Sequence, residues 1–349
     1  MKAARLHRYH DPLAVEEVAE PAITGPHDVI VRIGGAGLCR TDLHIQEGQW
    51  AEKSGVELPY TLGHENAGWV HEVGSAVTNV AVGDTVILHP LVTCGLCRAC
   101  RAGDDVHCID STFPGISVDG GFADLLKTTA RSVVKLAPAL HPKDIAALAD
   151  AGLTAYHAVK KAATILYPGT RVVVIGAGGL GHIGIQCLRA MTPAEIVVVD
   201  PSERALALAG ELGADHTVPA DGRQVDTLLQ LTDGAGAEAV IDFVGEKGAI
   251  ADGVAMLRDA GSYYVVGYGE NLNVPTIDII SREINFIGNL VGSYNDLDEL
   301  MTLTAQGRVT LHTSVYPLDA INDAMADLDN GRLHGRGILE PAGAAVQED

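Results

Sequence analysis

The chain has 349 residues, of which 47% are hydrophobic and 20% are charged, and its formal net charge at pH 7 is −21. This length exceeds one ordinary hydrophobic core and predicts two domains. The negative charge would repel nucleic-acid phosphates, and no apolar run is long enough to span a bilayer. We therefore expect a protein that binds neither nucleic acid nor membrane. The N-terminus lacks the apolar stretch of a signal peptide, so we expect the protein to be cytoplasmic.

The chain up to about residue 150 is predicted to be mostly β-structure. Short apolar runs such as Val29–Ile33 and Thr85–Leu88 are separated by glycine, proline and aspartate, which is the pattern of strands joined by turns. The runs are irregularly spaced and the turns are rich in glycine, which favours a barrel-like domain.

Two candidate metal ligands lie in this β-rich part of the chain. Cys39 begins the segment Cys39–His44, and His64 lies in the later segment Gly63-His64-Glu65. A single cysteine or histidine is usually a core or surface residue. Two such residues beside an acidic residue and a glycine-rich turn also fit a metal site, and the residues alone leave both interpretations open.

A second cysteine group follows in a C-x2-C-x2-C-x7-C pattern formed by Cys94, Cys97, Cys100 and Cys108. Four thiolates this close together can surround one tetrahedral ion, usually Zn²⁺, and they leave no open position for a substrate. Two disulfides are the alternative in an oxidising compartment. An iron–sulfur cluster is a further alternative, although Ile109 follows Cys108 where the bacterial ferredoxin run has proline. We therefore expect a structural zinc site.

Near residue 150 the pattern changes to strands that alternate with helices. The sequence predicts strands over 171–177, 195–200, 239–245 and 261–268, and helices over 180–191, 202–212, 296–305 and 318–328. The alternation in the first of these segments predicts a parallel, doubly wound sheet.

A glycine-rich turn joins the first predicted strand of this sheet to its helix. In the segment Gly176-Ala177-Gly178-Gly179-Leu180-Gly181, Gly176 suits a tight turn, Gly178 allows the backbone to approach a pyrophosphate, and Gly181 allows helix and strand to pack closely. The helix N-terminus then faces the phosphates.

Asp200 ends the next predicted strand, where a carboxylate can accept hydrogen bonds from an adenosine ribose. Because it would repel a 2′-phosphate, it favours NAD over NADP. The alternative is an aspartate that only caps the next helix.

The order of these motifs resembles that of the zinc-dependent medium-chain alcohol dehydrogenases. The segment Gly63-His64-Glu65-x2-Gly68-x5-Gly74-x2-Val77 is similar to the zinc signature of that family. The Cys39-x-Thr41-Asp42-x-His44 segment, the four-cysteine loop and the nucleotide-binding motif occur in the family's order, so the resemblance covers essentially the whole chain. It is closest to the NAD-dependent bacterial and archaeal branch.

The resemblance implies a catalytic zinc ion bound by Cys39, His64 and a third ligand just before the nucleotide-binding fold. Many members have cysteine as that ligand, whereas this chain has Asp150, as some microbial members do. Asp150 as the cap of the next helix is the alternative. By resemblance, Glu65 lies behind the metal, and Asp42 orients His64.

The resemblance also implies the roles of the remaining site residues. Thr41 would take a hydrogen bond from the alcohol and His44 would exchange the proton with solvent, while Arg40 and Arg336 would bind the cofactor pyrophosphate. His44, Arg40 and Arg336 could each instead be ordinary surface residues. The ion would act as a Lewis acid on the alcohol and NAD would take the hydride.

The implied fold is a GroES-like β-barrel catalytic domain, residues 1–151 and 291–349, with a doubly wound Rossmann NAD-binding domain, residues 152–290. The implied protein is an NAD-dependent alcohol dehydrogenase with two Zn²⁺ per chain that acts on primary or secondary alcohols. A polyol or formaldehyde-type dehydrogenase on the same scaffold is the alternative, and a nucleotide-binding sensor without turnover is disfavoured because Cys39, His64 and Thr41 are all present. The family forms dimers or tetramers, commonly through the sheet edge of the nucleotide-binding domain, and we expect a homotetramer or a homodimer.

Overall fold

The computed structural model describes residues 1–333 and 335–341, and the chain divides into two compact units. The first unit comprises Met1–Ala151, Ser293–Ala305 and the described residues from Thr310 onward, and the second comprises Gly152–Gly292 and Gln306–Val309. The sequence predicts domain boundaries at 151/152 and 290/291 and assigns 306–309 to the first domain, whereas the structure groups those residues with the second unit. Residues 342–349 of the predicted first domain lie outside the described residues.

The N-terminal part of the first unit consists of strands with short helical turns between them. The strands are β1 (Lys2–Leu6), β2 (Ala14–Glu17), β3 (Asp28–Leu38), β4 (Tyr60–Thr61), β5 (Glu65–Val73), β6 (Thr85–Leu88), β7 (Val92–Thr93), β8 (Ser111–Thr112), β9 (Leu125–Thr129) and β10 (Val133–Lys135). The helices are α1 (Arg40–Gln46), α2 (Ala51–Ser54), α3 (Arg98–Arg101) and α4 (Pro142–Ile145), with 3-10 turns at Asp105–His107, Ala130–Ser132 and Ala146–Ala149.

The second unit alternates strands and helices, as the sequence predicts. Helix α5 (Ala151–Ala163) leads into it, and it continues with β11 (Arg171–Ile175), α6 (Gly181–Met191), β12 (Glu195–Asp200), α7 (Glu203–Glu211), β13 (His216–Pro219), α8 (Gln224–Leu231), β14 (Ala237–Asp242), α9 (Ala249–Met256), β15 (Leu257–Val265), α10 (Thr276–Arg282) and β16 (Asn285–Gly288). The strands are all parallel and lie in the order β13-β12-β11-β14-β15-β16. The predicted doubly wound parallel sheet is therefore confirmed.

The last described elements return to the first unit. They are α11 (Tyr294–Ala305), β17 (Thr313–Pro317), a 3-10 turn at Leu318–Ala320, α12 (Ile321–Asp329) and β18 (Arg336–Glu340). Strand β18 pairs antiparallel with β3, and the main sheet of this unit runs β10-β6-β5-β3-β18-β17, with β9 also paired to β3. The segment from Arg336 onward is thereby brought beside the segment that ends at Leu38.

Each unit has its own apolar core. In the second unit, strand β11 is an almost continuous run of valine and isoleucine, all buried after its first residue, because helices cover both faces of such a sheet. In the first unit the buried residues include Val29, Val31 and Ile33 of β3, together with Phe122. Among the described residues, no helix combines the length and the apolar character that crossing a bilayer requires.

Candidate active site

The start of helix α1 fixes Cys39. This residue is the N-cap of α1 in extended conformation, and its backbone N–H donates to Oδ2 of Asp42 at 2.8 Å. The other oxygen of Asp42, Oδ1, lies 3.3 Å from Nδ1 of His64. Asp42 and His64 are 0% and 1% exposed. One buried carboxylate thus accepts the backbone N–H of Cys39 and lies next to the ring of His64.

The side chains of Cys39, His64, Glu65 and Asp150 converge. One ligand atom from each of these residues lies within 4.8 Å of the others. Nε2 of His64 is 3.5 Å from Oδ2 of Asp150, which follows the 3-10 turn Ala146–Ala149 and precedes α5. The structure therefore brings together the three predicted zinc ligands and the acidic residue predicted to lie behind the ion.

The donor set fits a zinc ion. Neither ring nitrogen of His64 makes a hydrogen bond of ordinary geometry within the described residues, which is costly for buried polar atoms unless another partner is present. Sulfur, imidazole nitrogen and carboxylate oxygen are all zinc donors. Burial lowers the pKa of His64, but Asp42 and Asp150 outweigh this effect and raise it well above the ordinary value of an imidazole. The same two carboxylates would favour a metal cation in place of that proton.

Glu65 is held from behind by Arg336. The guanidinium Nη2 of Arg336 donates to both carboxylate oxygens of Glu65, at 2.5 and 2.6 Å, and Ala151 donates its backbone N–H to Oε1 at 3.2 Å. Burial lowers the pKa of Arg336, but Glu65 and then Cys39 outweigh it and raise it above its usual value. Arg336 is 4% exposed and interacts with both Glu65 and Cys39 in the first unit. Its predicted contact with a pyrophosphate stays a prediction.

Close packing behind the site depends on Gly37. This glycine of β3 pairs with Glu65 of β5, and a Cβ there would overlap the Glu65 carboxylate. Glycine is required because the backbone must approach another side chain this closely.

The remaining predicted residues of the reaction lie on α1. Thr41 and His44 are half-buried and three residues apart in the helix, so they share one helix face. Arg40 is exposed at the start of the same helix. Their predicted roles in proton transfer and pyrophosphate binding are not decided by these positions.

The four-cysteine loop forms a second ligand cluster. The Sγ atoms of Cys94, Cys97, Cys100 and Cys108 lie within 4.8 Å of one another. Backbone N–H groups donate to three of these sulfurs, for example those of Leu96 and Cys97 to Cys94, each at 3.4 Å. Such bonds favour thiolates, and the backbone N–H groups of Cys100 and then Ile109 contribute most to lowering the pKa of Cys97 to about 6. The cluster fits the predicted structural zinc ion.

This loop is also anchored to helix α11, which the sequence pattern did not indicate. Asp105, within the loop, is 3% exposed, and its Oδ1 accepts the backbone N–H of Tyr294, the first residue of α11, at 3.0 Å. The Tyr294 hydroxyl donates to the carbonyl of Val133 at 3.2 Å. No local motif signals the contact between Asp105 and Tyr294 because they are far apart in the chain.

The glycine-rich turn has the geometry of a dinucleotide-binding turn. Gly176 has a φ of +89°, which favours glycine. A Cβ on Gly178 would contact nothing, and this residue is exposed, so its backbone is open to a ligand. Gly181 begins α6 and packs against the carbonyl of Gly176. Gly179 and Leu180, which complete the turn, are half-buried.

Asp200 is fixed beside that turn. Its Oδ2 accepts the backbone N–H of Ala177 and its Oδ1 accepts that of Ser202, both at 2.8 Å. The residue is 9% exposed at the carboxyl end of β12. The helix-cap alternative does not apply to it, because the side chain of Ser202 caps α7.

Comparisons with known proteins agree with this architecture. A family model described as the alcohol dehydrogenase GroES-like domain matches residues 25–138, and one described as a zinc-binding dehydrogenase matches residues 179–306. Similar curated proteins include a D-arabinose 1-dehydrogenase (NADP⁺) of Saccharolobus solfataricus, 37% identical over 97% of both chains, and an NAD-dependent alcohol dehydrogenase of Sulfurisphaera tokodaii, 35% identical over 98% of this chain and 100% of the relative. A crystal structure of the alcohol dehydrogenase from Aeropyrum pernix matches with a TM-score of 0.94 and 49% identity over 98% of this chain and 100% of that chain.

Proposed function

We propose that this chain, which belongs to the zinc-dependent medium-chain alcohol dehydrogenase family, reversibly oxidises primary or secondary alcohols to aldehydes or ketones with NAD. The observation that carries the proposal is the convergence of Cys39, His64 and Asp150. Three protein ligands leave a zinc position open for a substrate, whereas the four-cysteine cluster is closed. We therefore assign the reaction to the first cluster and a structural ion to the second, which gives two zinc ions per chain.

Charge balance supports the choice of ligands. A Cys39 thiolate, an Asp150 carboxylate and a neutral His64 together cancel the charge of Zn²⁺, and Glu65 and Arg336 form a neutral pair behind them. A zinc ion bound here would supply Lewis-acid catalysis at the alcohol oxygen, and bound NAD would supply the hydride acceptor. Paired charges are tolerated in a buried site far better than an excess of one sign.

The protein's own residues would orient the groups and carry the proton. Oδ1 of Asp42 lies 3.3 Å from Nδ1 of His64, so it would accept the proton on Nδ1 and leave Nε2, which faces Asp150, as the ligand atom. Thr41 would take the hydrogen bond from the alcohol hydroxyl, because a threonine hydroxyl both donates and accepts. His44 on the same helix would pass the proton to solvent. Arg40 and Arg336 are proposed to contact the pyrophosphate.

NAD is the proposed cofactor because Asp200 is a fixed carboxylate at the end of β12. Its two backbone donors hold it in place, and a negative charge there disfavours a 2′-phosphate. One similar protein is named for NADP⁺, so the preference has to be measured in this chain. The expected result is a higher kcat/KM with NAD than with NADP.

A screen of NADH absorbance over primary, secondary and aromatic alcohols, polyols and aldopentoses, combined with zinc counting, tests the proposal. Activity on simple alcohols with two zinc ions per chain is expected. The second candidate, a polyol or sugar dehydrogenase, is favoured by the relative named as a D-arabinose dehydrogenase, and higher kcat/KM on aldopentoses or polyols would support it. Full activity with only the four-cysteine ion bound would contradict both candidates.

The proposal also covers the cellular compartment and the oligomeric state. Zinc held by thiolates requires reduced cysteines, which are typical of the cytoplasm. We propose a homodimer or homotetramer, because the outer strand of the second unit's sheet is bordered by exposed apolar side chains.

A further inference from the structure

A second buried carboxylate lies in the sheet of the second unit, outside the residues used above. Asp242 is the last residue of β14 and is 0% exposed. Its Oδ1 accepts the backbone N–H groups of Val244 at 2.8 Å and Gly245 at 3.0 Å. Its Oδ2 accepts the hydroxyl of Tyr263 at 2.5 Å. Three donors therefore converge on one carboxylate, which both compensates its burial and restricts its orientation.

The position of Asp242 in the sheet relates it to the cofactor. Strand β14 lies next to β11, and β12 lies on the other side of β11. Dinucleotides bind across the carboxyl ends of such strands, at the point where the strand order reverses. Because Asp200 on β12 marks the adenosine side, the nicotinamide half falls on the side of β14 and β15.

The turn held by Asp242 packs directly against the glycine-rich turn. A Cβ on Gly176 would lie 2.6 Å from Cγ2 of Val244, so the Val244 side chain occupies the space next to that glycine. A Cβ on Gly184 of α6 would lie 2.8 Å from Cζ of Phe243, so the Phe243 ring packs on that helix. Any shift of the 243–245 turn would consequently displace Val244 from the dinucleotide turn.

Asp242 also holds the next turn of the sheet. Its carbonyl accepts the backbone N–H groups of Val266 at 3.1 Å and Gly267 at 2.9 Å. A Cβ on Gly267 would overlap the backbone of Val244. The turns after β14 and β15 are thus packed together, one held by the side chain of Asp242 and the other by its main chain.

We propose that Tyr263 and Asp242 are positioning residues for the nicotinamide half of the dinucleotide. Tyr263 fixes the carboxylate of Asp242, and that carboxylate fixes the 243–245 turn against Gly176. The inference rests on the proposed function, because it takes a nicotinamide dinucleotide as the ligand. Burial raises the pKa of Tyr263 and the neighbouring Asp242 raises it further, so the hydroxyl remains a donor.

The variant Tyr263→Phe removes the donor and keeps the ring. Tyr264→Phe is the matched control, because Tyr264 is the next residue of β15, is also buried (2% exposed), and lies on the opposite face of the strand. The dissociation constants of NADH and of AMP, which is the adenosine half of the dinucleotide alone, are measured on the full zinc-loaded chain by fluorescence and calorimetry. Tyr263→Phe is expected to raise the Kd of NADH about 3- to 10-fold, the effect of one hydrogen bond, with less than about a twofold change for AMP.

Tyr264→Phe is expected to leave both constants unchanged. Val244→Ala keeps the Asp242 carboxylate and its donors but removes the side chain that packs on Gly176. It should therefore show the same selective loss of NADH affinity. This second variant tests the inference even if Tyr263→Phe does not fold. If the wild-type chain binds NADH, unchanged NADH binding in these variants, or equal losses for NADH and AMP, would overturn the inference. A wild-type chain that binds no NADH would overturn the proposed function as well.

Discussion

Asp150 is a carboxylate at a position where many members of the family have cysteine. It lies 3.5 Å from Nε2 of His64 and is still 14% exposed in its side chain. A carboxylate oxygen donates less charge to zinc than a thiolate does, so it would leave the ion a stronger Lewis acid. The same exposure makes Asp150 the ligand whose removal disturbs the core least.

Replacing Asp150 with alanine is expected to remove the ion from the first cluster and leave that of the four-cysteine loop. Zinc content should fall by one ion per chain, and kcat should fall by a factor of about 10² or more, since loss of electrostatic stabilisation in an active site typically costs that much. Metal analysis and NADH absorbance measure both effects.

The exposed Asp144 of α4 offers a matched control nearby in the chain. Asp144→Ala should retain both ions and full turnover. If Asp150→Ala did the same, Asp150 would not be a ligand.

At the scale of elements, the four-cysteine loop and helix α11 depend on one another. Asp105 accepts the first backbone N–H of α11, and a helix N-terminus without such acceptors leaves donors unsatisfied. Arg131 lies 3.8 Å from the other oxygen of Asp105 and donates to Thr93 at 2.9 Å. The loop therefore has a structural role in the first unit besides the proposed binding of an ion.

Truncating Asp105 to alanine should lower the free energy of unfolding by about 1 to 3 kcal/mol, because the part-buried N–H of Tyr294 loses its acceptor. Asp105→Asn keeps an acceptor oxygen and should cost less. Urea unfolding measures both variants. Asp104→Ala, at the exposed neighbouring residue, is the control, and an equal loss in this variant would argue against the anchoring role.

Local patterns predicted the elements well where one physical rule dominates. The buried strands of the second unit and the glycine-rich turn follow from apolar runs and from the backbone demands of a phosphate site, and β12 has the predicted limits. Strand β3 extends beyond the predicted 29–33 to Leu38, because its glycines accommodate packing neighbours such as Glu65 and do not mark a turn.

Contacts between distant segments were beyond the reach of such patterns. The ion pair between Glu65 and Arg336 arises because β18 returns beside β3, and the bond from Tyr263 to Asp242 arises from the register of β14 and β15. Neither pairing leaves a periodic signal in the sequence. The candidate ligands were predicted because the family resemblance supplied their pairing.

For the whole molecule, several carboxylates have a pKa below the ordinary value. Burial raises the pKa of Asp28, but backbone N–H groups of Thr24 and Gly25 outweigh it and lower the pKa overall. A hydrogen bond from Lys135 lowers the pKa of Asp84, and Arg223 lowers that of Asp221. Their folded pKa values lie below the unfolded value of about 3.9. As the pH falls toward these values, the unfolded chain therefore binds more protons than the folded chain does.

The stability that these carboxylates contribute is therefore present above about pH 4 and is lost as the pH falls through their folded pKa values. The urea midpoint should decline steeply below about pH 4. Asp28→Asn should lower the midpoint at pH 7, and its difference from wild type should shrink toward pH 3. Asp298→Asn, at an exposed position of α11, is the control, and a constant difference for Asp28→Asn across the range would contradict the assignment.

The edge of the sheet in the second unit is relevant to oligomerisation. Strand β16 is the outer strand of the sheet, and its far edge has no partner strand within the part of the chain that the structure describes. Helix α10, just before it, has no buried residue. Its Ile277 and Ile280 are 65% and 70% exposed, and Leu290, which follows the strand, is 60% exposed. An open strand edge with apolar neighbours favours pairing with another chain.

We expect two copies to associate through this edge and its apolar border, because pairing would add main-chain hydrogen bonds along the outer edge of the strand and remove isoleucine side chains from water. Light scattering should then give a particle mass of two or four times the chain mass of 36.4 kDa. Ile277→Asp with Ile280→Asp should shift the mass toward a smaller particle, because each aspartate would have to be buried without a partner in the interface. Val82→Asp is the control, because this valine in the first unit is also 65% exposed. It should leave the particle mass unchanged. The same dissociation in that variant would show that added charge, and not this strand edge, controls assembly.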